Sequence, residues 1–249
     1  MRGVGGGDIV CGMSSVRKAL NVIAHRGASG YCPENTVASF EEGIRLGAKG
    51  IEFDIRLTAD GVPVVLHDAM LDRTTNGKGP VAEHTWMDLL QLDAGSWKHA
   101  RFAGTRIPSL AEALLAIGPY ARPIIELKTA IDPEVLLSQL RRFDLEEDVL
   151  VMSFHPEWLA PLRQRSKVVP LGLLSDRWGE ELPSQTRALD ADTLLLHTKV
   201  LGTSQIAAAE SEGLEVWCWT PNDAGLIAAC AAMGVSGIIT DYPDLIRSR

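Results

Sequence analysis

The feature that most restricts this chain is a recurring pair: a short apolar run followed by a segment with helical spacing. The runs fall at residues 22–25, 51–57, 62–67, 123–127, 149–154, 168–173, 193–196, 214–219 and 237–240. Several, such as Val149-Leu150-Val151 and Leu194-Leu195-Leu196, show no polar alternation. A strand with one wet face alternates. A strand covered on both faces does not, and parallel sheets are covered on both faces because their crossover helices pack there. Helical patterns lie between the runs at residues 36–46, 110–117, 133–143, 156–164, 204–212 and 223–233. Ser109 with Glu112 three residues on forms a capping-box pair for the second of these, and Asn35 or Thr36 can cap the first.

The runs at 51–57 and 62–67 are joined through Ala59-Asp60-Gly61. An Asp-Gly turn between extended runs makes a hairpin. The second run is then an antiparallel excursion from the first, and eight βα units remain. Eight parallel strands in about 250 residues is the usual size of a (β/α)8 barrel. A doubly wound open sheet is the alternative, but no GxGxxG follows the first strand to favour it. The expected fold is therefore α/β, a (β/α)8 TIM barrel. Residues 69–108 break the alternation. About forty residues is long for a bare loop in a compact domain, which predicts a small insertion subdomain after the second strand, with a short helix near 85–92.

Residues 1–17 contain a glycine cluster and lack the continuous apolar stretch of a signal peptide. They are expected to form a flexible extension, with Met13 an alternative start, ahead of a barrel over 18–249. No run reaches the roughly 20 apolar residues of a membrane span. Cys11, Cys32, Cys218 and Cys230 form no CxxC pair, so neither a zinc site nor a disulfide framework is expected. The 24 Lys and Arg against 32 Asp and Glu give a net charge of −8, a field that repels nucleic-acid phosphates. A cytoplasmic protein with no nucleic-acid partner and no stable membrane association is expected. The oligomeric state stays open, a homodimer included.

In a parallel barrel the chemistry sits at the C-terminal strand ends. The polar residues ending the runs are His25-Arg26, Glu52 and Asp54, His67-Asp68, Glu126 and Lys128, Ser153, Trp219 and Asp241. Glu52 and Asp54 are two apart, so on a strand they point to one side while Ile51, Phe53 and Ile55 point to the other. Glu126 adds a third carboxylate, with Lys128 on its own side of the same strand. Three carboxylates converging in a barrel mouth repel one another unless a cation lies among them. An all-oxygen donor set selects one hard divalent ion, Mg²⁺ or Ca²⁺. His25 and His67 can divide the work of general base and general acid. Arg26 offers a planar fork to phosphate oxygens. His84, His99, His155 and His197 lack such neighbours and are expected to be structural or solvent-exposed, with His197 the exception in also ending a strand.

In order along the chain, HRG (25–27), PENT (33–36), EFD (52–54), DGVPVVLHD (60–68), RTTNG (73–77), IPSLAEAL (107–114), IELK (125–128), SF (153–154), WTPND (219–223) and TDYPD (240–244) resemble the glycerophosphodiester phosphodiesterase family. Each piece is weak alone, and the ordered set, from about residue 23 to 244, is specific. The resemblance implies Glu52, Asp54 and Glu126 as metal ligands and His25 and His67 as the acid/base pair. It implies Arg26 and Lys128 on the phosphate, Trp219 lining the pocket, and Glu34 and Asn35 supporting the ligands from behind or touching the ion. Pro221 departs from the β-branched residue often found after WT, and the stretch around His197 matches only loosely.

The implied reaction is hydrolysis of a glycerophosphodiester to glycerol 3-phosphate and an alcohol. It would run by attack of a glycerol hydroxyl on phosphorus, through a cyclic phosphate that water then opens. Two alternatives use the same fold. A lysophospholipase D acting on acylated substrates needs a greasy tunnel or a membrane-facing surface, and no basic amphipathic helix is evident to supply one. A non-catalytic phosphodiester-binding protein on the same fold is expected to lose at least one reactive group, whereas both histidines and all three carboxylates are present here.

Overall fold

The structure is a computed structural model that describes residues 20–246. The extension expected at 1–17 lies outside the described residues. Strand β1 (Asn21–His25) leads through a tight turn to helix α1 (Val37–Arg45), and β2 (Gly50–Leu57) carries the short antiparallel arm β3 (Pro63–Val65). After a long segment holding α2 (Trp86–Leu89), the chain alternates regularly: α3 (Leu110–Ile117), β4 (Arg122–Leu127), α4 (Pro133–Arg142), β5 (Leu150–Ser153), α5 (Pro156–Arg165) and β6 (Leu171–Ser175). Then follow α6 (Leu182–Ala188), β7 (Thr193–His197), α7 (Thr203–Ser211), β8 (Glu215–Trp219), α8 (Ala224–Met233) and β9 (Gly237–Thr240).

All of these strands except β3 pair in parallel, and β1 pairs with both β9 and β2. The sheet is thereby closed into an eight-stranded barrel with the hairpin arm outside the count, as the Asp-Gly turn predicts. The lack of alternation has its expected cause. On β1, β2 and β4, Ala24, Ile51, Phe53, Ile55, Ile125 and Leu127 join the layer between strands and helices. The opposite parity, including Ile23, Ile124, Leu150, Met152, Leu174, Leu195, Trp217 and Ile239, packs into a separate cluster that fills the barrel. Both faces are therefore dry through the middle of each strand, and the inward face turns polar at the two ends, with Asn21, Arg122, Thr193 and Glu215 at the N-terminal side and the acidic cluster at the C-terminal side.

Thr36, rather than Asn35, caps α1 in a reciprocal box with Ser39. The predicted Ser109–Glu112 box caps α3. One helix has no counterpart in the sequence pattern: α6 is seven residues long and buries only Pro183 and Thr186, too few for a 3.6-residue apolar period to show. The segment between β3 and α3 shares a small core with the hairpin arm: Val64 of β3 packs with Leu66, Leu71, Val81, Leu89, Ala94 and Ile107. Its helix α2 is capped by Thr85 and Asp88. Two cations fasten it to the loop after β1: Lys98 Nζ donates to Ser29 O at 2.7 Å, and Arg101 donates to Tyr31 O at 3.3 Å. Among the described residues no helix is long and apolar enough to cross a membrane.

Candidate active site

Parallel register assembles the acidic cluster before any side chain moves. His25 on β1 lies opposite Glu52 on β2, and Asp54 on β2 lies opposite Glu126 on β4. Neighbours in parallel register share a face, so these side chains meet at the mouth of the barrel. Glu52, Asp54 and Glu126 are all buried, and each offers an oxygen within 4.8 Å of the others.

The turn after β1 aims two more groups at this cluster. Arg26 and Gly27 take left-handed backbone angles (φ 55° and 77°). A Cβ on Gly27 would lie 2.5 Å from the Ser39 backbone, so glycine is required there. The bend lets Arg26 N donate to Glu52 Oε2 at 2.8 Å and brings Arg26 Nε to 3.4 Å from Asp54 Oδ2. Asn35, also left-handed at φ 58°, holds Asp54 from behind: its Nδ2 donates to Oδ2 at 2.8 Å, and its Oδ1 accepts from Asp54 N at 3.2 Å. Lys128 Nζ donates to Glu126 Oε1 at 2.5 Å and stands 3.3 Å from Asp54 Oδ1, an ion pair without hydrogen-bond geometry.

The charges do not balance. Burial, together with Asp54 and Glu126, pushes the Glu52 carboxyl well above the ordinary carboxylate range. Burial and then Asp54 push Glu126 up to about 7, against the pull of Lys128. Burial also works against ionised Asp54, but Lys128 and Arg26 overcome it and hold that carboxyl far below its usual value. Three buried acids thus share two close cations. Glu52 Oε1 and Asp54 Oδ1 are buried with no hydrogen-bond donor, a costly condition that a metal ion relieves. The cluster is able to hold a metal ion: it is compact, all-oxygen and short of positive charge.

Both predicted histidines line the same cavity, of about 270 Å³, with Arg26, Glu52, Glu126 and Lys128. Each has a carboxylate on Nδ1. His25 Nδ1 is 2.6 Å from Asp241 Oδ1, and His67 Nδ1 is 2.7 Å from Asp68 Oδ1. A carboxylate can only accept, so Nδ1 carries the proton and Nε2 is the ring nitrogen left free to give or take one. His25 Nε2 lies 4.0 Å from Glu52 Oε2. Burial raises the Asp241 carboxyl, but hydrogen bonds from His25, Ser29 and Asn222 keep it below its usual value. Asp68 is held well below the carboxylate range chiefly by its bond from Arg73. Burial, with Arg26 and Lys128 nearby, lowers the His67 pKa despite Asp54 and Asp68.

Glu34 stands outside the carboxylate cluster. It accepts from Arg26 Nη1 at 2.7 Å and from both terminal nitrogens of Arg73, so Arg73 clamps Asp68 and Glu34 together. Trp219 lines the cavity, with its indole N–H on Leu195 O at 3.3 Å, and a cis peptide joins it to Thr220. Phe154 and His197 stand edge-on to Trp219 at 5.4 and 4.6 Å. His197 therefore packs behind the pocket wall, and His84, His99 and His155 bond locally to Pro80 O, Arg101 N and Glu157.

Sequence reasoning assigns no role to Asp68, Arg73, Asn222 or Asp241, although all four fall inside the motifs. Asp68 is signalled by its adjacency to His67, and Asp241 by ending a strand. Arg56 is missed as well. Its Nε and Nη1 donate to His67 O and Lys128 O, bracing both backbones, and its shared parity with Glu52 and Asp54 is the available sign.

Residues 25–245 match the Glycerophosphoryl diester phosphodiesterase family. A glycerophosphodiester phosphodiesterase of Caldanaerobacter subterraneus subsp. tengcongensis is 35% identical over 90% of this chain and 95% of its own length. An Oleispira antarctica phosphodiesterase, solved in complex with the product sn-glycerol-3-phosphate, superposes with a TM-score of 0.86 at 32% identity, covering 92% of this chain and 95% of that one. The glycerophosphodiester phosphodiesterase of Agrobacterium tumefaciens gives a TM-score of 0.82 at 31% identity, over 91% of this chain and 98% of that one. With a closed barrel, an ordered set of motifs and a family match across nearly all of the described residues, the chain belongs to the glycerophosphoryl diester phosphodiesterase family.

Proposed function

We propose that the chain hydrolyses glycerophosphodiesters to glycerol 3-phosphate and an alcohol, with His25 and His67 sharing the proton transfers and one divalent cation, Mg²⁺ or Ca²⁺, at the acidic cluster. The observation that carries this reading is the matched pair of histidines: each is held through Nδ1 by a carboxylate, and both open on the cavity that Glu52 and Glu126 also line. Glu52, Asp54 and Glu126 would hold the cation. A bound divalent ion supplies charge stabilisation at phosphoryl oxygens and makes a ligated hydroxyl more acidic.

Arg26 and Lys128 bind the phosphate, and Trp219 bounds the substrate on its apolar side. A glycerol hydroxyl attacks phosphorus, and one histidine takes its proton at Nε2. The bond from phosphorus to the departing oxygen breaks, and the other histidine delivers its Nε2 proton to that alkoxide. Water then opens the cyclic phosphate with the histidine roles exchanged, which restores both side chains. Fixed donors around the phosphoryl oxygens act without reorganising, the usual source of large rate effects. A cytoplasmic location goes with this reading, since Cys32, Cys218 and Cys230 are free thiols.

The test is a coupled assay for glycerol 3-phosphate release from several glycerophosphodiesters, with and without EDTA, and with a lysophospholipid as a further substrate. Release from the deacylated diesters, lost with chelator, is expected. Turnover of the lysophospholipid alone would replace this reading with a lysophospholipase D.

A further inference from the structure

His25 and Arg26 border two spaces. Besides the cavity at the barrel mouth, a second one of about 280 Å³ opens from the same two residues towards the insertion. Its outer wall is made by Trp97 and Lys98 of the insertion and by Tyr242 after β9.

A phosphodiester carries two alcohols on one phosphorus. The half common to every substrate of the proposed reaction is glycerol phosphate, and it belongs with the carboxylates and both histidines in the inner cavity. The half that varies is the leaving alcohol. The outer cavity is where it has room, beyond the guanidinium of Arg26 and against residues that the insertion contributes.

The outer cavity also has a definite chemical bias. Two carboxylates line it, and every oxygen of both already accepts a hydrogen bond from the protein. The oxygens of Glu34 accept from Arg26 and Arg73, and those of Asp241 accept from His25, Ser29 and Asn222. Their charges are offset by Arg26 and Arg73 at Glu34 and by the bonds of His25, Ser29 and Asn222 at Asp241. Lys98 is the reverse. Its ammonium makes one bond, to Ser29 O at 2.7 Å, and among the described residues no carboxylate lies within ion-pair distance of it. Arg26 and Lys128, the cations of the inner cavity, are both paired with acids. Two ammonium protons of Lys98 therefore remain for a ligand.

We propose that the outer cavity seats the leaving alcohol and that Lys98 selects alcohols bearing an anionic group, a carboxylate or a phosphomonoester, over the cationic head group of glycerophosphocholine. The proposal rests on the hydrolase reading above. Four substrates test it: glycerophosphocholine, glycerophosphoglycerol, glycerophosphoserine, and glycerophosphoglycerol bearing a terminal phosphate. KM and kcat are measured for the native chain, Lys98→Gln and Lys98→Arg. Glutamine keeps a donor for Ser29 O without the charge, and arginine keeps both.

The KM ratio of each anionic substrate to glycerophosphocholine is expected to rise about fivefold in Lys98→Gln, the scale of one half-exposed charge pair, and to return towards native in Lys98→Arg. A change confined to the serine or to the phosphate substrate identifies which anion the cavity takes. An unchanged ratio, or an equal loss of kcat on all four substrates, overturns the proposal and leaves hydrolysis standing. A native chain inactive on all four overturns hydrolysis, and the proposal falls with it.

Discussion

His25 Nδ1 lies 2.6 Å from Asp241 Oδ1 across the seam where β1 closes the barrel on β9. The contact fixes both the tautomer and the tilt of the ring, and Asn222 anchors the far oxygen of the carboxylate. Asp241→Asn removes the charge and keeps the shape. The expected result is a fall in kcat of about 10²-fold, within the range for one impaired proton transfer, with KM little changed and the pH profile displaced. A native profile would mean that Asp241 only fills space.

Glu52 is buried, and burial with two neighbouring acids holds its carboxyl far above its usual pKa. Glu52→Gln is therefore expected to leave the metal-free fold as stable as the native chain or more so, while abolishing cation-dependent turnover. Thermal melts with EDTA and with excess Mg²⁺ or Ca²⁺ check both halves: the native Tm should rise with cation and that of the variant should not. Full native turnover after exhaustive chelation would overturn the metal assignment.

The raised carboxyls also set a pH dependence. A group whose pKa is higher in the folded state contributes stability below its unfolded pKa and loses it as pH rises through the folded value. Glu126 rises to about 7 and Glu52 shifts the same way. The Tm of the metal-free protein should therefore fall between about pH 4.5 and pH 7 or above, starting from the unfolded carboxylate value. Asp68 and Asp54 shift downwards, so their contributions are present above the ordinary carboxylate range and disappear in acid. Saturating cation should flatten the fall. A metal-free Tm that climbs steadily from pH 5 to pH 8 contradicts the charge imbalance described for the cluster.

A divided acid/base pair makes His25 and His67 distinguishable by leaving group. A nitrophenol departs with little help from an acid, while the attacking hydroxyl still needs its base. Rescue by a nitrophenyl ester of glycerol phosphate is expected for the alanine variant of the histidine that acts as acid and not for that of the base. Each transfer is worth about 10²–10⁴-fold, so kcat/KM on activated and natural substrates resolves the two. Equal rescue of both variants, or of neither, rules out the division of labour.

The parts of this site that a strand's own period fixes are legible in the amino-acid sequence itself. Glu52 and Asp54 share a face because they are two apart, and the all-oxygen chemistry of the cluster follows from their identity. Asp241 is not legible as a partner of His25, because their meeting depends on β9 closing against β1, 216 residues along the chain. Arg73 escapes for a related reason: it reaches Asp68 and Glu34 from a segment whose path no periodicity describes. Helix α6 leaves no trace because only two of its residues are buried.

Parallel register does two jobs with the same residues in this barrel. The alignments His25 with Glu52 and Asp54 with Glu126 close the sheet and also gather the reactive groups. If β2 slipped by one position, Ile51, Phe53 and Ile55 would face the mouth and the two acids would enter the helix layer, since neighbouring strand residues face opposite ways. Such a molecule would be poorly folded and inert at once. Partly active misfolded populations are accordingly not expected, and the specific activity of a refolded sample should equal the fraction of chains that have closed correctly.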